Sequence, residues 1–329
     1  MVSIKDVAGR AGVAISTVSK VLNHYPNVSS ETRKKVEEAI RELNFVPNSV
    51  AAALSSKQAG RVALLLNLEE KTQITSEIGM QYLAEAMSCA MKHNLDVITV
   101  FSSMVREKSL EELIRYFQSQ SITGIIIFGM TRTDKVLHQL VRSQYFKIVL
   151  VDAPISNENT SCVWVSQERA QYDVAQQTLR DISGKKVLYI AGSKESYAAG
   201  MRLEGMRRLA QDLKLSLLVR MGNFSELEAR NITFQYAAKR DIVVCASDMM
   251  AIGAMKALIE MDIFRPVCGF DGISLMGYAG KQMHTVKQDF AGIAGEAVRE
   301  LRRLMNAQPG RIVEMPYELV RLQYEDVIK

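Results

Sequence analysis

The chain has 329 residues, 48% of them hydrophobic and 23% charged, with a net charge of +5 and four cysteines. That length exceeds what one hydrophobic core usually spans, so two or more domains are expected. No run approaches the roughly 18 apolar residues of a membrane span, and no CxxC or Cys/His cluster suggests zinc or a disulfide framework.

The charge is uneven. Residues 1–60 hold eight Lys/Arg against five Asp/Glu, and the remainder hold 33 against 31. A small basic head on a nearly neutral body hints at a polyanionic partner, although ordinary surface charge produces the same balance. Cys89, Cys162, Cys245 and Cys268 are widely scattered and read as reduced, buried thiols. The segment MVSIKDVAGRAG has no long apolar stretch of the kind a signal peptide needs, so a cytoplasmic chain is expected. No metal and no cofactor is expected.

Residues 1–45 read as three short helices. Ser3 precedes IKDVAGRA, with Ile4, Val7, Ala8 and Ala11 at helical spacing and Asp6 in an acidic version of the capping box. Gly12 ends that helix. The next, Ile15 to Leu22, gathers Val18, Val21 and Leu22 on one face. The third starts at Ser29 or Ser30 and carries Val36, Ile40 and Leu43 as its stripe. The stretch 46–60, VPNSVAAALSSKQAG, is too short and too poor in anchoring side chains to hold a helix unaided in water.

From Val62 the texture changes. VALLLNL, LDVITVF, GIIIF and FKIVLVD alternate with amphipathic helices over 77–93, 109–120 and 134–143. The pattern then restarts with KKVLYIAG, LSLLVRMG, DIVVCAS and PVCGF, separated by helices over 200–212, 226–238 and 248–261. Strands alternating with helices predict parallel sheets built from βαβ units, and the restart predicts two of them. In such sheets ligands bind beyond the carboxyl ends of the strands, so the expected site is the cleft between the two.

Helix, glycine-containing turn and helix is the helix-turn-helix pattern. The outward face of the second helix offers Ser16, Thr17, Ser19, Lys20 and Asn23, short hydroxyls and one cation that suit a major groove. A plain solvated polar face has the same periodicity. The order of residues separates the two. SIKDVAGRAGVAISTVSKVLN, followed by VSSETRKKVEEAIRELNFVPNSVAAALSSKQ, resembles the DNA-binding headpiece of the LacI/GalR family of transcriptional repressors.

The resemblance extends over nearly the whole chain. It implies an all-α helix-turn-helix headpiece and hinge helix, followed by an α/β core of two doubly wound parallel-sheet subdomains like those of periplasmic binding proteins. The expected division is 1–45 for the headpiece, 46–60 for the hinge, 61–161 with 289–317 for the first subdomain, and 162–288 with 318–329 for the second. Ile15, Ser16 and Lys20 would stand at the family's base-reading positions, and Ser3, Thr17, Ser19, Asn23, Ser29 and Asn48 would hold phosphates. Leu54 would wedge into the minor groove beside Ala51, with Lys57 near phosphate, so Leu54→Ala is expected to weaken operator binding about tenfold.

In the core, RLEGM places Arg202 where the family clamps its effector. CASDMMAIG places Asp248, and GFDG places Asp271, where the family binds ligand polar groups. Phe224 falls where an aromatic ring stacks on the effector, and Ile74, Asp152, Trp164 and Lys194 complete the expected set. Other readings of these residues stay open: Asp248 as a helix cap, Arg202 in a surface ion pair, Asp271 as a turn residue, and Phe224 or Trp164 as core.

Several positions depart from the family pattern. Ala14 replaces a capping Ser, which costs about 1 kcal/mol. Lys20 replaces an Arg and cannot form arginine's planar fork to guanine. Ala52 stands where many relatives carry Arg. Ser166 and Gln167 replace an Asp-Asn pair, Thr72-Gln73-Ile74 replaces Asn-Pro-Phe, and the segment before GFDG is short. With Arg202, Lys194 and Lys287 nearby, a basic pocket and a phosphorylated or acidic sugar are expected.

The resulting expectation is a repressor of a carbohydrate-utilisation operon, controlled by a sugar or sugar phosphate. It would act as a homodimer on a palindromic double-stranded operator, since no leucine-heptad tail follows YELVRLQY. The alternative keeps DNA binding but has the core sense a protein partner or a non-sugar ligand such as a nucleobase. A solute-binding protein shares the two-sheet plan but has no helix-turn-helix. An enzyme is disfavoured by the lack of a GxxxxGK[ST] loop, a GxGxxG turn after a strand, an HExxH motif or a G-x-S-x-G frame.

Overall fold

The computed structural model of the protein describes residues 2–22, 25, 28–43, 45, 60–67, 75–180, 182–279 and 281–322. The expected contacts Asn23, Asn48, Ala51, Leu54, Lys57 and Ile74 lie outside the described residues, as does the expected hinge up to residue 59. The chain divides into two compact units, Met1–Ala59 and Gly60–Lys329.

The first unit holds three helices, α1 (Ile4–Ala11), α2 (Ile15–Leu22) and α3 (Ser30–Glu42). The Ser3 side chain accepts from the Asp6 amide while the Asp6 carboxylate accepts from the Ser3 amide, so the capping box forms as the sequence predicts. Gly12 closes α1 in the left-handed region at φ 66°, a conformation that costs a residue with a Cβ. Val7, Ala8, Val18, Val21, Val36 and Ala39 make a small core of their own. Burying Val18 and Val21 turns Ile15, Ser16 and Lys20 outward.

The second unit contains two six-stranded sheets. The first comprises β1 (Arg61–Leu66), β2 (Asp96–Phe101), β3 (Ile122–Phe128), β4 (Lys147–Val151), β5 (Thr160–Val165) and β11 (Ile312–Met315), in the order β11-β5-β4-β3-β1-β2 and wholly parallel. Helices α4 (Thr75–Lys92), α5 (Leu110–Ser119), α6 (Lys135–Ser143) and α11 (Phe290–Met305) belong with it. Its central strands β1, β3 and β4 are apolar on both faces, as a sheet covered by helices requires: β3 buries Ile125, Ile126, Ile127 and Phe128 in succession.

The second sheet comprises β6 (Lys186–Ala191), β7 (Ser216–Met221), β8 (Ile242–Cys245), β9 (Val267–Cys268), β10 (Met283–Gln288) and β12 (Tyr317–Leu322), in the order β12-β10-β9-β8-β6-β7. Only β12 runs antiparallel. Helices α7 (Gln167–Leu179), α8 (Tyr197–Asp212), α9 (Glu226–Tyr236) and α10 (Asp248–Glu260) complete this subdomain.

The chain passes between sheets three times: after β5, after β10, and between β11 and β12. The first passage differs from the expected boundary at 161/162. All of β5 stays in the first sheet, because Ile148–Val151 pair with Thr160–Val163 and Cys162–Val165 pair with Ile312–Met315. The last passage likewise leaves Tyr317 in the second sheet, where it pairs with Gln288. All four cysteines are buried and unpaired. Among the described residues no helix is long and apolar enough to cross a membrane, and no group of His, Cys, Asp and Glu side chains is arranged to hold a metal.

Candidate effector cleft and DNA-reading face

Each sheet reverses its winding once, between β1 and β3 in the first and between β6 and β8 in the second. Connections leave in opposite directions at such a point and open a crevice at the carboxyl ends of the strands. The two crevices face each other around a cavity of about 340 Å³, within the size range of small-molecule sites.

The first subdomain lines it with Asn67 after β1, Ile78 and Tyr82 from α4, Gly129 to Thr131 after β3, Val151 at the end of β4 and Asp152 just beyond it. The second contributes Ser193, Glu195 and Ser196 after β6, Tyr197 and Arg202 from α8, Asn223 and Phe224 after β7, and Ser247 and Met249 around the start of α10. Asp271, Ile273, Gln288 and Phe290 close the remaining side.

Arg202 is the centre of a buried polar network and is only 5% exposed. Its Nε donates to Gln167 Oε1 at 2.8 Å, one terminal nitrogen donates to the Ala246 carbonyl at 2.5 Å, and the other lies 3.3 Å from Asp271 Oδ1. The guanidinium stacks on Phe270 with 3.6 Å between its carbon and the ring centroid. Gln167 Nε2 donates to Asp152 Oδ1 at 3.1 Å, and Gln288 Nε2 donates to Asp271 Oδ1 at 3.1 Å. One hydrogen-bonded chain thus runs from Asp152 in the first subdomain to Asp271 in the second.

Burial pushes the Asp271 carboxyl above its ordinary range, and Asp152 pushes the same way, while Arg202 opposes both. Asp152 is likewise raised by burial and held back by Arg202. The Tyr82 hydroxyl is raised by burial first and by the two aspartates second. Its ring stands 4.7 Å from Phe128 and 5.4 Å, edge-on, from Phe290, making an aromatic wall. Phe224 lies over Gly192, where a Cβ would overlap the ring. Asn223 and Phe224 hold φ of 50° and 60°, Asp152 holds 60° and Asp271 126°, so four cleft residues sit in left-handed backbone. Backbone strain of this kind concentrates at ligand-binding positions.

Of the residues expected in the site, Asp152, Arg202, Phe224 and Asp271 line the cleft. Three do not. Asp248 is fully buried, and its carboxylate turns away to brace the loop after β9. It accepts from the Gly272 and Ile273 amides at 2.7 and 2.9 Å and from Thr285 Oγ1 at 2.5 Å. Ser247, not Asp248, caps α10. Lys194 is exposed on a turn whose Ser193 and Glu195 reach the rim of the cleft, and neither Lys194 nor Trp164 on β5 is part of the lining.

The expectation of a basic pocket is also corrected. Lys194 and Lys287 are exposed and outside the lining, which carries Asp152, Glu195 and Asp271 against Arg202 alone. Gln167, read in the sequence as the loss of a polar pair, is instead the link between Arg202 and Asp152. Tyr82 was not foreseen, since a tyrosine on the buried stripe of an amphipathic helix reads as core.

On the headpiece, α2 exposes Ile15, Ser16 and Lys20, while Thr17 and Ser19 are half-buried. Ile15 is 44% exposed at the helix start. Ser3 and Ser29 are exposed N-caps of α1 and α3, their side-chain oxygens accepting from the Asp6 and Thr32 amides.

The sequence was compared with known proteins. Residues 3–48 match the model described as "Bacterial regulatory proteins, lacI family". Residues 80–278 match "Periplasmic binding proteins and sugar binding domain of LacI family". The chain is 27% identical to catabolite control protein A of Priestia megaterium over 332 residues, covering 97% of each. It is 28% identical to the ribose operon repressor of Halalkalibacterium halodurans over 316 residues, covering 94% of this chain and 92% of that one. A crystal structure of the lac repressor dimer bound to operator and an anti-inducer superposes with a TM-score of 0.81 at 25% identity, covering 98% of this chain and 99% of that one.

Proposed function

The chain belongs to the LacI family of bacterial regulatory proteins, DNA-binding transcriptional repressors with a ligand-binding core, and we propose that it is a homodimeric repressor whose effector is a neutral polyhydroxylated molecule of the sugar class. The observation that carries the effector class is the pairing of Asp152 and Asp271 with the rings of Tyr82 and Phe224 around one cavity. Carboxylates accept from hydroxyls while the faces of a sugar ring pack on aromatic carbon. Three acids against one arginine repel a phosphate group, so the sugar is unphosphorylated. A sugar operon as the regulated target follows from the same reading.

DNA is read by α2. On this reading the exposed Ile15, Ser16 and Lys20 meet base edges, and Ser3, Thr17, Ser19 and Ser29 meet phosphates. Met80, Ala84, Met87 and Met91 form an exposed stripe on one face of α4. An apolar stripe of that kind calls for a covering partner, and a second copy of this chain supplies it; the superposing lac repressor is itself a dimer.

The test is calorimetry of the full-length protein against neutral sugars, their phosphates and nucleobases, paired with operator titrations. Tighter binding of a neutral sugar, lost in Asp271→Asn, is expected. Preferential binding of a nucleobase or a sugar phosphate in the cleft overturns the effector class. Lys20→Ala is expected to weaken operator binding about tenfold and to lower its salt dependence.

A further inference from the structure

A second cavity, of about 510 Å³, lies beside the mouth of the cleft. Its lining includes Arg132, Lys135, His138 and Arg142 from the end of the first sheet and α6, with Tyr197 from α8 opposite, and it contains no carboxylate. Lys135, His138 and Arg142 recur at helical spacing on one face of α6. Among the described residues Arg132, Lys135 and Arg142 form no ion pair. The nearby carboxylates are engaged elsewhere: Asp134 accepts from the Thr131 amide at 2.7 Å and Glu195 from the Thr133 hydroxyl at 3.2 Å.

The cavity is shaped for its cations. Arg132 lies across α8 at Gly200, where a Cβ would collide with the guanidinium, and its charge stands 5.3 Å over the Tyr197 ring. Glycine at 200 leaves the guanidinium where it lies, whereas a Cβ would oblige this flexible side chain to shift. His138 Nε2 donates to the Thr131 carbonyl at 3.0 Å, which ties α6 to the loop after β3. The place is also a seam between the subdomains. Thr131 bridges Ser196, and the Arg132 amide donates to the Glu195 carbonyl at 2.8 Å.

We propose that this pocket is an anion site, separate from the effector cleft, that takes a phosphate dianion and holds the two subdomains together. Two arginine forks, a lysine and a phenol hydroxyl match the donor demand of a phosphate. The phosphate is either inorganic or carried on a small metabolite. Because both subdomains contribute, its occupancy shifts closure of the cleft and, by linkage, the affinity of the cleft ligand.

The full-length protein is titrated by calorimetry and thermal shift with inorganic phosphate, glucose 6-phosphate and glucose at constant chloride-set ionic strength. Both phosphates are expected to bind, and Arg132→Gln/Arg142→Gln to lose about tenfold or more in affinity, with its circular dichroism and its ligand-free melting midpoint unchanged. Lys135→Gln alone gives a smaller loss in the same direction. Tighter binding of glucose 6-phosphate than of inorganic phosphate, abolished in the double variant, assigns a phosphorylated metabolite; equal affinities assign the free ion. Asp271→Asn leaves phosphate binding in place, so a failure of the cleft reading is distinguishable from a failure here. No saturable binding, binding unchanged in the double variant, or binding lost in Asp271→Asn overturns the site.

Discussion

Replacing Arg202 by methionine keeps much of the side chain's length and removes its charge. The loss then falls on three groups at once. Gln167 Oε1 and the Ala246 carbonyl lose their donors, and Asp271, whose side chain is 14% exposed, keeps only Gln288. Breaking a buried pair by removing one partner typically costs about 3–5 kcal/mol, because the remaining charge has no counterion.

The cost depends on pH, and its sign follows from Asp271. Its carboxyl is already raised by burial while Arg202 pulls it down, so removing the guanidinium raises it further. A carboxyl raised in the folded state binds more protons folded than unfolded, so stability falls as pH rises through that range. In Arg202→Met the penalty is therefore largest at about pH 7.5 and smaller at about pH 5, where the carboxyl is neutral and can donate. Urea unfolding of wild type and variant at both pH values measures the difference. A loss below about 1 kcal/mol at the higher pH, or a loss identical at both, refutes the view of Arg202 as the counterion of a buried network.

Glu300→Gln on α11 is expected to cost about 3 kcal/mol, because Glu300 is 1% exposed and its carboxylate receives Arg303, Arg311 and Ser161. Those partners hold its pKa below the usual range, so its contribution is present above the ordinary glutamate pKa and is lost as pH falls through the lowered one, which acid titration of the melting midpoint checks. Gly12→Ala should destabilise the first unit by about 1–2 kcal/mol through backbone strain alone, since no heavy atom lies near the new Cβ; thermal melts of the headpiece transition test this. Met87→Glu is expected to convert the homodimer to monomer in sedimentation velocity and to weaken operator binding with it.

The headpiece and the alternation of strands and helices were legible because they rest on local signals: the Ser3/Asp6 capping box, Gly12, and apolar runs such as GIIIF. The strand β5 was not recognised as such, because it opens with the polar pair Thr160-Ser161, both fully buried in the fold. Ser161 is accommodated there only because Glu300 and the Arg311 amide, at least 139 residues away, meet its hydroxyl. The same limit applies in the cleft. Arg202, Phe224 and Asp271 were expected from the family resemblance, and all three line the cleft. The direction of the Asp248 carboxylate is set by amides and a hydroxyl 24 to 37 residues later, which no local pattern encodes.

Charge shows the limit most sharply. Lys194, Arg202 and Lys287 are all close to cleft segments in sequence, and adding them up predicts a basic pocket. Only Arg202 faces inward; a turn at 193–196 and the alternation of β10 send the two lysines to solvent. The strand period of two settles the second case: Gln288 lines the cleft, so its neighbour Lys287 points the other way. The consequence reaches the choice of ligand. A cleft of three carboxylates and one already paired guanidinium favours hydroxyl donors, whereas Arg132, Lys135 and Arg142, without an ion pair among the described residues, lie beside it. On the two proposed readings, neutral and anionic recognition are separated on the two sides of one seam. A ligand that satisfies either side acts on the same closure of the subdomains.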